Sequence, residues 1–391
     1  VFKLKLNARK YWVNPREALV VFQFAVVAIL ISSVWIIRDQ MNHVQNRDLG
    51  LDKENLIYHQ VSGTMQENKV ALRNELLALK EVNSVSYTFS PITELHSDTN
   101  MMKWQGKDDS YRPTMYRMGA DANLVETAGF ELIAGRDIDV YTFPSDSNAV
   151  LINETAAMRM GFEDPLGQVI QDDDLSFTVV GVVKDFIMGS PFEEVLPILV
   201  FGPKRNLSFI HVRLNPGEDY SKIMANVAAV FAKFNPGAPF DYNFVDQVHA
   251  RKFESQKRTA KLTGLFTVLA VLISCMGLFG LATFIAEQRR KEISVRKVLG
   301  ASIPGLVRLI SSEFTKLVLI AVLVGIPVTW YFMDSWLETF DYRISIDWKI
   351  FLWTALAALG IAFLTVSSQA IKTAMINPSK VLKSEGGQGG K

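Results

Sequence analysis

The chain carries a single cysteine, Cys275, among its 391 residues, so no disulfide can form within it. Its five histidines are scattered and show no spacing typical of metal ligands. The formal net charge is +1, which argues against a nucleic-acid-binding protein, because that class usually carries a strong basic excess. No Gly-x4-Gly-Lys-Ser/Thr pattern is present, so the sequence lacks the phosphate-binding loop of a P-loop ATPase.

Catalytic patterns are equally scarce. No nucleophile elbow is present in the sequence, so Ser-His-Asp chemistry cannot be placed. Three adjacent acids, Asp172, Asp173 and Asp174, fall at a predicted turn and are interpreted as a solvated loop rather than a metal site. The sequence therefore predicts no catalytic, cofactor-binding or metal site on this chain, and no enzymatic activity of its own.

Four long apolar runs are present instead, and each falls within the range of about 17–25 residues that can cross a bilayer as a helix. They are Ala18–Ile37, Leu262–Ala286, Leu317–Met333 and Ile350–Ile371. None contains Asp, Glu, Lys or Arg, the usual mark of a proton or ion path. A cleaved signal peptide is the alternative interpretation of the first run, but no small-x-small cleavage site follows it.

The distribution of basic residues orients these spans. The N-terminal tail and the loop between the second and third spans are rich in Lys and Arg, whereas the loop between the third and fourth spans is mainly acidic. Because basic loops stay on the cytoplasmic side, both termini and the second loop are predicted to be cytoplasmic. Residues 38–261 are then predicted to lie outside.

The fold class predicted from these runs is an α-helical membrane protein with four transmembrane helices and a large extracytoplasmic α/β domain inserted between helices 1 and 2. The predicted segments are a cytoplasmic N-terminal segment (1–17), transmembrane helix 1 (18–37), the core domain with a helical stalk at both ends (38–261), helix 2 (262–286), a cytoplasmic coupling helix and loop (287–313), helix 3 (314–333), an extracytoplasmic loop (334–349), helix 4 (350–371) and a cytoplasmic tail (372–391).

Within the core domain, β-branched and aromatic residues predict strands, and apolar spacing near 3.6 residues predicts helices. The predicted strands are Asn55–Val61, Val82–Phe89, Thr114–Gly119, Ala149–Ile152, Phe177–Val183 and Ser208–Leu214, and the predicted helices are Lys69–Leu79 and Tyr220–Phe234. Arg38–Leu49 and Phe244–Lys261 contain no Gly or Pro, so both are expected to be helical extensions of spans. They are interpreted either as a movement-carrying stalk or as plain connectors.

Small residues at four-residue spacing mark two spans. Ala270 and Ser274 form one such pair, and Thr354, Ala358 and Ala362 form a second stripe. This spacing lets helices approach closely. Contacts with a second permease half and contacts within this bundle are both open interpretations.

The most informative segment is the string EQRRKEISVRKVLGAS at residues 287–302. Its periodicity is helical, Glu292 and Arg296 stand four apart in the favourable acid-first order, and Gly300 is a natural helix stop. Ser302 and Pro304 then suit the start of another helix. A basic juxtamembrane helix that binds anionic lipid is the alternative, but it does not explain Glu292.

The string RRKEISVRKVLGAS resembles the signature of FtsX-like ABC-transporter permeases, the group that includes MacB-type efflux permeases and lipoprotein-export permeases. Further similarity to this family, including its MacB-like periplasmic core domain, extends over nearly the whole chain, in GFELIAGRD (129–137), VLINET (150–155), GFEDPLG (161–167), VVGVVKDF (179–186) and NPSKVLKSE (377–385). Ser294 departs from the pattern, since the family often has Gly there. The start without Met resembles the join in duplicated permeases, so the chain is expected to be the C-terminal half of one.

The resemblance implies a role for the short cytoplasmic helix, which docks on a separate ATPase in this family. By motif match the coupling residues are Arg289, Arg290, Lys291, Glu292, Ile293, Arg296, Lys297 and Gly300. ATP and Mg are then expected on the partner ATPase and no cofactor on this chain. Other implied partners are a second permease half or homodimer partner, a periplasmic adaptor and membrane lipid, with no nucleic acid.

The resemblance implies that the chain is a permease subunit in the bacterial inner membrane, where it transmits ATP-driven movement to the outer domain. It would drive export of a hydrophobic, peptide or lipoprotein-like cargo, with no substrate tunnel through the four spans. The alternative is an ABC-type signalling transmitter that activates an extracytoplasmic partner such as a cell-wall hydrolase. The length of the outer segment favours export.

Overall fold

The computed structural model describes residues 15–204, 206–217, 219–237, 239–289, 292, 295–296, 299 and 302–375. Two compact units are present, one formed by Val1–His43 with Ser255–Lys391 and the other by Val44–Glu254. The helices of the described residues with defined bounds are α1 (Pro15–Gln45), α2 (Thr64–Glu67), α3 (Lys69–Leu77), α4 (Leu124–Ala128), α5 (Glu154–Met160), α6 (Tyr220–Phe234), α7 (Val245–Arg251), α8 (Glu254–Gln288), α9 (Ile303–Leu337) and α10 (Trp348–Met375).

Four of these helices, α1, α8, α9 and α10, are long and apolar enough to cross a membrane. They contain the four apolar runs from which the spans are predicted, and the α/β unit lies between the first and second of them in the sequence. The predicted fold class is therefore confirmed.

Small side chains bring the spanning helices together. Thr354 and Ala358 on α10 are fully buried and Ala362 is nearly so. Ala358 and Ala362 belong to an apolar cluster that also contains Phe24 and Phe314. The Thr354 hydroxyl is hydrogen-bonded to that of Ser32, with 3.0 Å between the oxygens. The α10 stripe therefore serves contacts within this bundle, which is one of the two interpretations open from the sequence.

The α/β unit contains two sheets, whose strands are β1 (Leu56–Gln60), β2 (Val82–Thr88), β3 (Asp98–Thr99), β4 (Lys103–Trp104), β5 (Met115–Gly119), β6 (Leu132–Gly135), β7 (Ala149–Asn153), β8 (Val169–Asp172), β9 (Leu175–Val183), β10 (Ile198–Phe201), β11 (Phe209–Leu214) and β12 (Tyr242–Phe244). The first sheet is antiparallel with the order β12-β1-β11-β2. The second is mixed, with the order β3-β5-β10-β7-β9-β8-β4 and β6 paired with β9.

Burial on both faces explains the apolar character of the central strands. On β7, Val150 and Ile152 pack with α5, whereas Leu151 packs on the opposite face with Phe186. Alternate residues of a strand point to opposite faces, so residues 149–152 of β7 are all apolar because each face of the strand meets a different cluster. Helices α3 and α6 cover the first sheet through Leu72, Leu76, Ile223, Val227 and Phe231.

Two predicted helical extensions are shorter than expected. α1 ends at Gln45 rather than at Leu49, and the Asp48 carboxylate accepts a hydrogen bond from the Gly50 amide, a local turn that competes with the helix. The segment 244–261 is divided into α7 and α8. The break falls at Lys252 and Phe253, whose side chains are held in the α/β unit, so a continuous helix over this segment is wrong.

The acidic triplet also differs from the expectation of a solvated loop. Only Asp173 and Asp174 form the turn between β8 and β9, whereas Asp172 is the last residue of β8. The Asp172 carboxylate forms an ion pair with Arg117, 3.0 Å away, and both side chains are largely buried. Asp172 therefore joins two strands of the second sheet.

Candidate functional site

The segment between α8 and α9 begins with an ion pair. The Arg289 guanidinium is 2.7 Å from the Glu313 carboxylate on α9, so the residue that follows α8 is held to the third turn of the next spanning helix. Both side chains are roughly two-fifths exposed. Glu313 was not among the residues predicted for coupling, because a single acid near the start of an apolar helix has no distinguishing pattern.

A second ion pair lies within the segment. Glu292 and Arg296 are both in helical conformation, and the Arg296 guanidinium is 2.7 Å from the Glu292 carboxylate. The acid-first order at four-residue spacing is the favourable arrangement on a helix. Because both side chains are close to half exposed, the pair contributes little stability on its own and leaves both charges accessible.

Apolar side chains on the same segment are also exposed. Val295 is 49% exposed and Leu299 is 80% exposed. Exposed apolar residues beside accessible charges are typical of a protein-binding surface, in which apolar groups anchor and charges fix the register. Of the other predicted coupling residues, Arg290, Lys291, Ile293, Lys297 and Gly300 lie outside the described residues.

The next helix starts where the sequence predicts. Ser302 is the N-cap of α9, its hydroxyl accepts a hydrogen bond from the Gly305 amide, and a proline occupies the first turn. A serine cap satisfies one of the amides that a helix start leaves without an intrahelical partner. The segment is therefore bounded by an ion pair at one end and by a capped helix at the other.

The opposite end of the spanning bundle has a different polar contact. Gln40 is fully buried, its amide nitrogen donates to the Tyr342 carbonyl, and its amide oxygen accepts from the Ile344 amide, both at 2.9 Å. The His43 ring stacks on that of Tyr342. These contacts fix α1 to the connection between α9 and α10, and periodicity alone does not reveal them.

In the α/β unit, a buried arginine holds the segment that follows α1. The Arg213 guanidinium donates to the carbonyl oxygens of Asp52, Glu54 and Thr127 and forms an ion pair with the Asp52 carboxylate at 3.1 Å. Burial lowers the pKa of Arg213, and the carboxylate of Asp52 opposes that shift. Because the Asp52 side chain is 58% exposed, the carbonyl contacts at Asp52 and Glu54 hold this segment to the unit more than the ion pair does.

Among the described residues, no group of three or more His, Cys, Asp or Glu side chains is placed to hold a metal ion. His211 is fully buried, and burial lowers its pKa to about 3, so the ring is neutral near pH 7. Its Nε2 accepts from the Ile92 amide, which leaves Nδ1 protonated to donate to the Thr88 hydroxyl. His211 thus has a structural hydrogen-bonding role.

Two family descriptions match the chain. Residues 20–230 match the MacB-like periplasmic core domain, and residues 264–378 match the FtsX-like permease C-terminal region. The chain belongs to the family of ABC transporter permeases of the MacB/FtsX type. Its α/β unit is accordingly a periplasmic-type domain in a multi-pass membrane protein.

Curated relatives are distant in sequence. An uncharacterized ABC transporter permease of Methanocaldococcus jannaschii is 22% identical over 80% of this chain and 79% of that protein. A probable syringafactin export ATP-binding/permease protein, SyfD, of Pseudomonas syringae pv. tomato is 21% identical over 63% of this chain. This chain spans only 39% of the length of that export protein.

Two solved structures are similar to part of the chain. The periplasmic region of MacB from Actinobacillus actinomycetemcomitans is 14% identical, with a TM-score of 0.38, and covers 54% of this chain and 98% of its own. The extracellular domain of the noncanonic ABC-type transporter YknZ from Gram-positive bacteria is 18% identical, with a TM-score of 0.32. The match covers 48% of this chain and 96% of that domain.

Proposed function

We propose that this chain is the permease subunit of an ABC transporter that converts ATP hydrolysis on a partner ATPase into movement of its α/β domain. The segment between α8 and α9 receives the force, and the movement drives export of a hydrophobic, peptide or lipoprotein-like cargo. The observation that carries the proposal is the exposed combination of Glu292, Arg296, Val295 and Leu299 on a short segment between two spanning helices.

The chemistry of this segment supports a protein partner rather than lipid. Anionic lipid attracts cations and repels carboxylates, so a lipid-binding helix gains nothing from an accessible Glu292. A groove on a protein can match both signs of charge and cover Leu299, which is 80% exposed. Arg290, Lys291, Ile293, Lys297 and Gly300 are proposed to belong to the same docking surface on the basis of the motif.

Location and orientation follow from the charge distribution. Basic residues cluster before α1 and between α8 and α9, which supports an orientation in the bacterial inner membrane with both ends of the chain and the docking segment on the cytoplasmic side. The α/β domain then lies outside. This arrangement brings the docking segment to the compartment that holds ATP.

The partners proposed are an ABC ATPase, which binds ATP and Mg, and a second permease half or a second copy of this chain. Relatives such as SyfD are described as ATP-binding/permease proteins, and a phosphate-binding loop is absent from the sequence of this chain. Catalysis of ATP hydrolysis is therefore assigned to the partner. A periplasmic adaptor is a further candidate partner.

The experiment that tests docking uses charge reversal with a matched exchange. Glu292→Lys should abolish copurification of the ATPase with the tagged full chain from native membranes, because it replaces a carboxylate of the docking surface with a cation. Glu292→Arg combined with Arg296→Glu keeps an ion pair within the helix but moves both charges, so it should fail to restore copurification.

The exposed Lys184–Glu131 pair of the α/β domain provides the matched control. Lys184→Glu combined with Glu131→Lys keeps an exposed ion pair outside the docking segment, so it should leave copurification of the ATPase unchanged. Full copurification of the ATPase with Glu292→Lys, or full rescue by the 292/296 exchange, would contradict docking at Glu292 and Arg296. Comparison of cargo accumulation with cell-wall hydrolase activity after deletion then distinguishes export from signalling.

A further inference from the structure

The loop at residues 186–193, which leads from β9 toward β10, contacts both chain segments that continue into spanning helices. On the α1 side, the Ile187 amide donates to the Leu49 carbonyl at 2.9 Å. The Arg47 guanidinium donates to the carbonyl oxygens of Pro191, at 2.9 Å, and Glu193, at 2.6 Å. The segment that leaves α1 therefore holds the loop at its beginning and at its end.

On the α8 side, a lysine holds the middle of the same loop. The Lys252 amine donates to the carbonyl oxygens of Met188, at 2.9 Å, and Gly189, at 2.5 Å, and also to that of Thr93, at 2.6 Å. The next residue, Phe253, is buried and packs on Phe192 with 5.4 Å between ring centroids. These two residues directly precede α8.

The loop is also tied to the centre of the second sheet. Asn153, at the end of β7, is fully buried, and its amide nitrogen donates to the Asp185 carboxylate at 2.7 Å and to the Leu196 carbonyl at 2.8 Å. Phe186 and Met188 lie in the apolar cluster beside this sheet. The loop is therefore connected to the central strands through the packing of Phe186 and Met188 and through its flanking residues Asp185 and Leu196.

The side chains of Arg47 and Lys252, which hold the loop, are charged donors, and hydrogen bonds from charged groups are about twice as strong as neutral ones. Burial lowers the pKa of Lys252 to about 8, and the carboxylates of Glu94 and Glu193 oppose that shift. The amine therefore remains mainly protonated near pH 7 and can donate to all three carbonyl oxygens.

We infer that the 186–193 loop is the element through which displacement of the segments next to α1 and α8 enters the α/β domain, with Arg47 and Lys252 as the positioning residues that hold it. This inference rests on the proposed force-transmitting function. Two charged donors, one beside each helix, hold neighbouring carbonyl groups of one loop, so the loop responds to the separation of the two segments.

Hydrogen exchange on the tagged full chain with its copurified ATPase, in nanodiscs, tests the inference. Peptides covering 186–193 and 287–302 are compared without nucleotide and with ATP plus vanadate. We expect exchange in the loop to change by about fivefold or more between these states, the scale of a coupling between two sites. Lys252→Met should reduce the loop response below about twofold while the ATPase remains active.

Lys184→Met is the matched control, because this amine pairs with Glu131 at the surface just before the loop and makes no described contact with it. It should leave the response unchanged. If Lys252→Met disrupts folding, seen as lost protection in β7 and β11, Arg47→Gln tests the other contact. A loop response that survives both Lys252→Met and Arg47→Gln would overturn the inference.

The two proposals fail differently. Nucleotide-dependent exchange in 287–302 with none in 186–193 overturns the role of the loop but leaves the docking proposal intact. Absence of a copurified ATPase, or an unchanged 287–302 peptide, overturns the proposed function and this inference with it.

Discussion

Asp137 is a carboxylate whose surroundings alter its proton affinity. It accepts hydrogen bonds from the Val125 amide at 2.8 Å and the Ile138 amide at 2.7 Å, so it holds the start of α4. Burial raises its pKa to about 6, and the nearby Asp121 and Asp139 reinforce the shift. Asp139, two residues further on, has a lowered pKa, because hydrogen bonds from Thr142 and Tyr141 outweigh its burial.

Because the pKa of Asp137 is raised and that of Asp139 is lowered, the two carboxylates should have opposite effects on the pH dependence of stability. Between about pH 4 and pH 6, folded Asp137 retains a proton that the unfolded chain has lost, so its contribution to stability falls as pH rises. Asp137→Asn removes this titration. The unfolding free energy of Asp137→Asn minus that of wild type should therefore become more positive as pH rises, by about 3 kcal/mol at pH 7.

Asp139→Asn is the paired variant for this measurement. Because the pKa of Asp139 is lowered, its stabilising contribution is present above about pH 4 and is lost in acid, so the variant-minus-wild-type difference should become more negative as pH rises. Calorimetry of the detergent-solubilised full chain measures both. Parallel pH profiles for Asp137→Asn and wild type would contradict the assignment.

At the scale of elements, the departure of the chain from α1 depends on one glycine. Gly50 has a φ of +66°, and a Cβ there would lie 2.1 Å from the Asp185 carbonyl oxygen. Only glycine accepts that conformation readily and also allows the close approach of Asp185. The sequence predicts a helical extension only as far as Leu49, but the contact of Gly50 with Asp185 comes only from the folded chain.

Gly50→Ala should destabilise the protein by about 2–4 kcal/mol. The added Cβ would collide with the Asp185 carbonyl oxygen, and alanine would also be strained in the left-handed conformation. Gly161→Ala is the matched control, since Gly161 has a φ of +72° and open space around the added atom. It should cost only about 1 kcal/mol. Equal losses of thermal stability for the two variants would show that the contact with Asp185 is unimportant.

Sequence patterns gave the long strands more reliably than the short ones. β9 and β11 are rich in Val, Phe and Ile because they are buried, and burial is what the pattern records. β3 and β4 have only two residues each, too few for any periodicity, and they exist because neighbouring strands offer partners. Their positions depend on the tertiary arrangement.

At the scale of the whole molecule, the orientation of the chain in the membrane is open to a direct test. In a Cys275→Ser background, cysteines introduced at Asp174 and Leu299 both replace exposed residues. A membrane-impermeant thiol reagent applied to spheroplasts should label Asp174→Cys and not Leu299→Cys, because basic loops remain cytoplasmic.

Disruption of the membrane supplies the control for that experiment. Leu299→Cys should become labelled once the reagent has access to both sides. Labelling of both positions in intact spheroplasts, or of Leu299→Cys alone, would overturn the proposed orientation.

By itself the sequence determined the membrane class, the four spans, the α/β character of the segment between the first two and the family resemblance. Each of these depends on local composition or on a contiguous motif, such as the one around Glu292 and Arg296. Tertiary structure alone decided the strand order, the burial of the α10 stripe and the roles of Arg213, Arg47 and Lys252. In the sequence these three look like ordinary surface cations, because the carbonyl groups they bind belong to residues distant along the chain, at separations no local pattern records.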